Sequence, residues 1–168
     1  MMQKYIYYAA LSCLLAFTSC SVEETVPNNT LGNENGFQYN SVAYITDMVY
    51  VTPEGDVILT SNNLTDDGSA NDVDAAVFKT TANSLIEKSY YVGGDLTNFV
   101  TVANGNLNQG EVRDGEFIID EEIVSSGFFR IVSLDRNKKE IHIIFEFQRT
   151  DGELVAGSFN GNYALSTF

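Results

Sequence analysis

The chain has 168 residues, 44% of them hydrophobic and 19% charged, which suits one globular domain held by an apolar core. Asp and Glu total 23 against 9 Lys and Arg, a balance that excludes nucleic acid, whose phosphates need basic neutralisation, and adhesion to anionic lipid through basic patches. Both cysteines, Cys13 and Cys20, lie near the N-terminus, so neither a disulfide framework nor a cysteine zinc site staples the rest of the chain.

Residues 5–17 form a mostly apolar run, preceded by Lys4 and the terminal amine. The run is shorter than the roughly 20 residues a membrane-spanning helix needs and matches the apolar region of a secretory signal. The small residues Thr18 and Ser19 then lead into Cys20. Phe17-Thr18-Ser19-Cys20 resembles the lipoprotein box of bacterial lipoproteins, which usually has Leu where this chain has Phe17. The resemblance implies cleavage before Cys20 and lipid on that residue. Cys13 is the rival site, but it leaves only residues 5–12 as an apolar region and has the bulky Leu11 two positions before it. Each buried CH₂ contributes about 0.8 kcal/mol, and two or three acyl chains together hold a protein firmly to a bilayer. Glu23 and Glu24 resemble the short acidic run that marks lipoproteins of the Bacteroidota for the outer face of the outer membrane. Residues 1–19 are therefore expected to be a lipoprotein signal peptide, and residues 20–36 the lipidated cysteine and a flexible tether. The stretch after Cys20, "SVEETVPNNTLGNENG", has no apolar periodicity and reads as a linker with a reach of roughly 20–25 Å.

From residue 37 the pattern changes to period two, and residues 37–168 are expected to form an antiparallel β-sandwich of about ten short strands. Residues 41–51, "SVAYITDMVYV", read as one strand, and "TPEG" at 52–55 as a turn with Pro53 in its second position. Residues 56–61 return as the hairpin partner. Residues 73–80 read as the next strand, while 83–88, "NSLIEK", suit either a helical turn or a loop. Strands are expected over 89–92, 98–103, 116–119, 128–134, 140–148 and 154–165. Turn signals every 8–12 residues and no long amphipathic helix argue for a sandwich or barrel. "VRDGEFIID", "KEIHIIFEFQRTDGELVAGSFNGNY" and "LIEKSYYVGG" together resemble the domains of many small Bacteroidota lipoproteins, which implies fold and location and little about activity.

The hairpin around Asp151-Gly152 has two competing registers. A two-residue turn sets Phe145 opposite Ser158 and Ile143 opposite Asn160. A three-residue loop, Thr150-Asp151-Gly152, sets Phe147 opposite Val155, Phe145 opposite Gly157, Ile143 opposite Phe159 and Ile141 opposite Gly161. The second matches apolar to apolar and predicts positive φ at Gly152, with Phe159 and Tyr163 on the face of Phe145.

The chemistry-bearing residues are few. His142 is the only histidine and falls on the less apolar face of its strand with Ile144 and Glu146. Imidazole-based nucleophilic catalysis would have to use it, and no G-x-S-x-G motif accompanies it. The acidic stretch 63–74 offers Asp66, Asp67, Asn71, Asp72 and Asp74 to calcium, but without the EF-hand alternation. Glu121 and Glu122 are adjacent and point to opposite faces if extended. Gly93, Gly94, Gly105 and Gly110 are spread over turns and make no phosphate loop. Of Tyr90 and Tyr91, one is expected in the core and one in water, where it could stack on a sugar. No catalytic residue, metal ligand or cofactor is expected. The expected function is that of a lipid-anchored, non-catalytic binding or accessory module of the cell envelope, with a glycan or protein partner. The alternatives are a component of a surface assembly and a hydrolase using carboxylates. A cleft with converging carboxylates would favour the enzyme, an aromatic patch binding, and a long unprotected sheet edge assembly.

Overall fold

A computed structural model describes residues 35–81 and 85–168. The expected signal peptide, Cys20, Glu23, Glu24 and the expected tether up to residue 34 lie outside the described residues. The described residues form twelve strands and no helix: β1 (Gly36–Tyr39), β2 (Val42–Ile45), β3 (Met48–Val51), β4 (Val57–Thr60), β5 (Ala70–Thr80), β6 (Ser89–Tyr91), β7 (Leu96–Asn108), β8 (Glu111–Ile119), β9 (Val124–Asp135), β10 (Glu140–Arg149), β11 (Leu154–Asn162) and β12 (Ala164–Leu165). They make two six-stranded sheets, the first in the order β2-β1-β11-β10-β9-β6 and the second in the order β12-β3-β4-β5-β7-β8. Every named ladder is antiparallel except the short β12–β3 pairing. The expected all-β sandwich is the fold.

The inner faces meet in an aromatic core, because each strand buries alternate side chains. Phe78 of the second sheet stacks on Phe129 of the first with ring centres 4.5 Å apart, and Phe99 stacks on Phe147 at 5.0 Å. Tyr90 is fully buried among them. Its hydroxyl accepts from the Ile86 N–H at 3.1 Å and donates to the Ile86 carbonyl at 3.2 Å, so the buried phenol is satisfied. A smaller apolar cluster lies on the outer face of the second sheet, where Ile58, Val73, Val77, Val102 and Leu107 pack with Leu64 and Phe168.

The Asp151-Gly152 hairpin adopts the three-residue loop. Phe147, Phe145, Ile143 and Ile141 face Val155, Gly157, Phe159 and Gly161, and Gly152 has φ 93°. Phe159 and Tyr163 share the core with Phe145. The "TPEG" turn also forms as expected, closed by the Gly55 N–H on the Thr52 carbonyl at 3.0 Å.

Three expectations on strands need correction. Residues 41–51 are not one strand. Asn40 (φ 49°) and Ser41 (φ 64°) make a two-residue turn that pairs Tyr39 with Val42, and Thr46-Asp47 then carry the chain to the other sheet. Asn tolerates positive φ, so a tight hairpin forms here without glycine. Its first strand begins at Gly36, placed in the tether by composition. Residues 154–165 likewise break at Tyr163, whose N–H turns to the Lys139 carbonyl at 2.8 Å, and Ala164 joins the opposite sheet. The strand expected at 116–119 starts at Glu111, because Gln109 (φ 52°) and Gly110 (φ 72°) close a tight β7–β8 turn. Of 83–88, residues 85–88 are non-helical, and 83–84 lie outside the described residues.

Candidate functional site

The outer face of the first sheet carries two of the groups singled out by sequence, His142 and Tyr91. Side chains directly opposite one another on paired strands share a face, so the register arranges them in rows. Ser133, His142 and Asn160 form one row across β9, β10 and β11. Two residues further along β10, Ile144 is flanked by Arg130 and Ser158, and two further again Glu146 is flanked by Phe128 and Ala156. Tyr91 of β6 extends that last row beyond Phe128. The Tyr91 and Phe128 rings lie 6.3 Å apart, inclined at 53°, and Tyr91 is 47% exposed while Tyr90 is fully buried. The two tyrosines divide between core and water as alternation requires.

At the end of these rows the β9–β10 turn, β11 and the segment before β6 enclose an open polar cleft of about 870 Å³. Local hydrogen bonds hold its walls. The Asp135 carboxylate accepts from the Asn137 and Lys138 N–H groups, each at 3.0 Å, which shapes the turn. Those bonds, the one from Lys138 foremost, hold the Asp135 carboxyl below the usual carboxylate range. Glu87 accepts from the Leu134 N–H at 2.9 Å, and the Arg136 guanidinium donates to the Leu85 carbonyl, so residues 85–87 are tied to the end of β9. Asn137, Asn160 and Asn162 offer carboxamides to the cleft, while Glu87, Asp135 and Glu140 offer carboxylates. Each carboxamide both donates and accepts, and each carboxylate only accepts. His142 stands beside the cleft in the row of Asn160, and burial lowers its pKa.

The other sequence candidates are dispersed. In the stretch 63–74, Asp67 accepts from the Thr65 hydroxyl at 2.5 Å and the Ser69 N–H at 3.3 Å. Asp74 instead accepts from the Asn104 N–H at 3.2 Å, and the Asp72 N–H donates to the Asn106 amide oxygen at 3.2 Å. These groups serve a turn and two strand bulges, and among the described residues no three His, Cys, Asp or Glu side chains converge on a point where a metal could sit. Glu121 accepts from the Asn98 amide at 3.2 Å, while the Glu122 N–H is bound to Asp120 at 2.9 Å. Gly93 and Gly110 have positive φ in turns, and Gly105 packs against Val102 within β7. The Asp56 carboxyl, raised by burial, lies 3.9 Å from Lys79 beside the second sheet and does not line the cleft.

Sequence reasoning passed over Asn137, Asn160, Asn162 and Glu87. A usable signal existed for two of them: in "FNGNY" the asparagines alternate with core residues, which places both on the outer face. Glu87 carried none, because it reaches the cleft only through its bond to Leu134. Among the described residues no helix is long and apolar enough to cross a membrane. Comparison with protein-family models, curated proteins and solved structures finds no match.

Proposed function

We propose that this chain is a lipid-anchored cell-envelope protein of the outer membrane whose sandwich is a non-catalytic glycan-binding module. The lipid on Cys20 supplies the membrane attachment, and the sequence around it supports outer-membrane placement. The observation that carries the binding role is the polar cleft. A lining of carboxamides and carboxylates suits a ligand rich in hydroxyls, since each hydroxyl donates to one group while accepting from another. The carboxylates of Glu87, Asp135 and Glu140 share the cleft with Arg136, and Lys138 lies 3.8 Å from Asp135 and 4.0 Å from Glu140, so the mixed charge of the lining suits a neutral ligand.

Two features weigh against the rivals. A carboxylate hydrolase needs one carboxyl kept protonated beside an ionised one, and the carboxyl that burial raises, Asp56, lies before β4 in the second sheet and does not line the cleft. Assembly through sheet edges needs a long unguarded strand. Here β6 has three residues, and β8 carries Glu111, Arg113, Asp114 and Glu116 with breaks in its register. The test is a glycan array and a pull-down with the mature chain made without lipid. Binding of neutral glycans, weakened by Asn160→Ala and Asn162→Ala, is expected. Capture of a protein partner alone would favour the other form of binding module, and release of reducing ends from the glycans would replace the reading with the hydrolase.

A further inference from the structure

We infer that the cleft is one end of an extended site and that the Tyr91–Phe128 pair is its second subsite, so that the ligand is an uncharged oligosaccharide chain lying along β9 and β10. The inference rests on the glycan reading of the cleft. Between the two features the rows succeed one another along β10: the row at Glu140 borders the cleft, the rows at His142 and Ile144 follow with a β-bulge of β9 between them, and the row at Glu146 ends on Phe128 and Tyr91. Glu146 stands six strand steps beyond Glu140 along β10. At the strand rise of about 3.4 Å this is about 20 Å, a span that a chain of about four sugar units reaches and a disaccharide does not.

The chemistry of the intervening rows fits a polyol chain. His142 is half-buried, and burial favours its neutral form, in which one ring nitrogen donates and the other accepts. Ser133 and Asn160 flank it with groups that also do both. Ile144, only 5% exposed, is covered by its neighbours, so the half-buried Arg130 and Ser158 that flank it are the groups a chain meets between this row and the aromatic pair. Tyr91, 47% exposed and leaning on Phe128, presents an aromatic surface for the C–H face of a sugar ring. Glu140 and Glu146 lie at the two ends of the stretch with Arg130 between them, and this alternation of charge suits an uncharged chain better than a chain of uronic acids.

The experiment titrates the full chain, purified in mild detergent, with neutral glucose and xylose oligomers of increasing length and with a uronic-acid oligomer as the anionic control. Affinity should rise about tenfold from the dimer to the longer oligomers, the gain expected of one good aromatic contact. Tyr91→Ala should abolish that gain and leave the dimer's affinity unchanged, whereas Asn160→Ala should weaken every length. Both side chains are exposed, and equal melting temperatures would exclude misfolding as the cause. Length-independent affinity, or a Tyr91→Ala loss equal at all lengths, overturns the extended site while the cleft stands. Absence of binding by every neutral oligomer overturns both, as does tighter binding of the uronic-acid chain.

Discussion

Phe145 and Gly157 face each other across the β10–β11 ladder, and the phenylalanine ring fills the space that a Cβ at position 157 would take. The Gly36 carbonyl lies 2.7 Å from the same position, so β1 closes it from the other side. One glycine thus lets a large ring enter the core and a third strand approach. Gly157→Ala should destabilise the fold by about 1–3 kcal/mol, since neither neighbour has room to yield. Gly161→Ala is the control: its nearest neighbour is the edge of the Phe159 ring at 3.3 Å, and its effect should stay within about 1 kcal/mol. Urea midpoints of the two variants check the contrast.

Phe168 closes the outer apolar cluster of the second sheet. Its ring lies 2.8 Å from where a Cβ on Gly110 would stand and covers Gly68 as well, and it is led there by the Ser166 N–H on the Val51 carbonyl at 3.0 Å. Phe168→Ala should remove about 1–2 kcal/mol, less than a fully buried phenylalanine because the residue is only half-buried. A melting temperature lower by about 5 °C is the expected readout for a domain of this size.

Acid should lower the stability of the fold modestly through its paired surface carboxylates. The Arg149 side chain holds the Asp151 carboxyl low, the Thr65 hydroxyl does so for Asp67, and the Lys138 N–H for Asp135. A group whose folded pKa is depressed contributes stability above its unfolded value and loses it as pH falls through the folded one. Stability should therefore drop below about pH 4, the ordinary range of Asp. Asp56, raised by burial, acts in the opposite sense and gains stability as pH falls through its folded value. Urea midpoints from pH 7 downwards should show the acid loss reduced in Asp151→Asn, and an unchanged profile would contradict this assignment.

Calcium should not matter to the fold. Within 63–74 the Asp67 side chain binds its own turn, the Asp74 side chain binds the β7 bulge, and the Asp72 N–H donates to the Asn106 amide oxygen. Melting with and without a calcium chelator should agree within about 2 °C. A drop of about ten degrees on chelation would show that these side chains hold an ion.

Cys20→Ala should release the protein from the membrane fraction, and mass spectrometry of the wild-type N-terminus should find an acylated cysteine. A variant that stays as firmly bound as the wild type would remove the lipid anchor from the proposed function.

Local patterns determined much of this protein. Alternation in "EIHIIFEF" and "LVAGSFNGN" places Ile141, Ile143, Phe145 and Phe147 against the core, and the matching of those faces is enough to select the register about Gly152. Both depend only on neighbours within one hairpin, where a slip of one residue exposes every buried side chain. Asn40-Ser41 and Tyr163 were opaque for the converse reason. Whether a strand continues or crosses to the opposite sheet depends on partners far along the chain, such as Asn35 beneath Thr46 and Val51 beside Leu165. The cleft belongs to the same class. Glu87, Asp135 and Asn160 are remote in sequence, and only the bond from the Leu134 N–H to Glu87 and the pairing of β10 with β9 and β11 bring them to one end of one sheet.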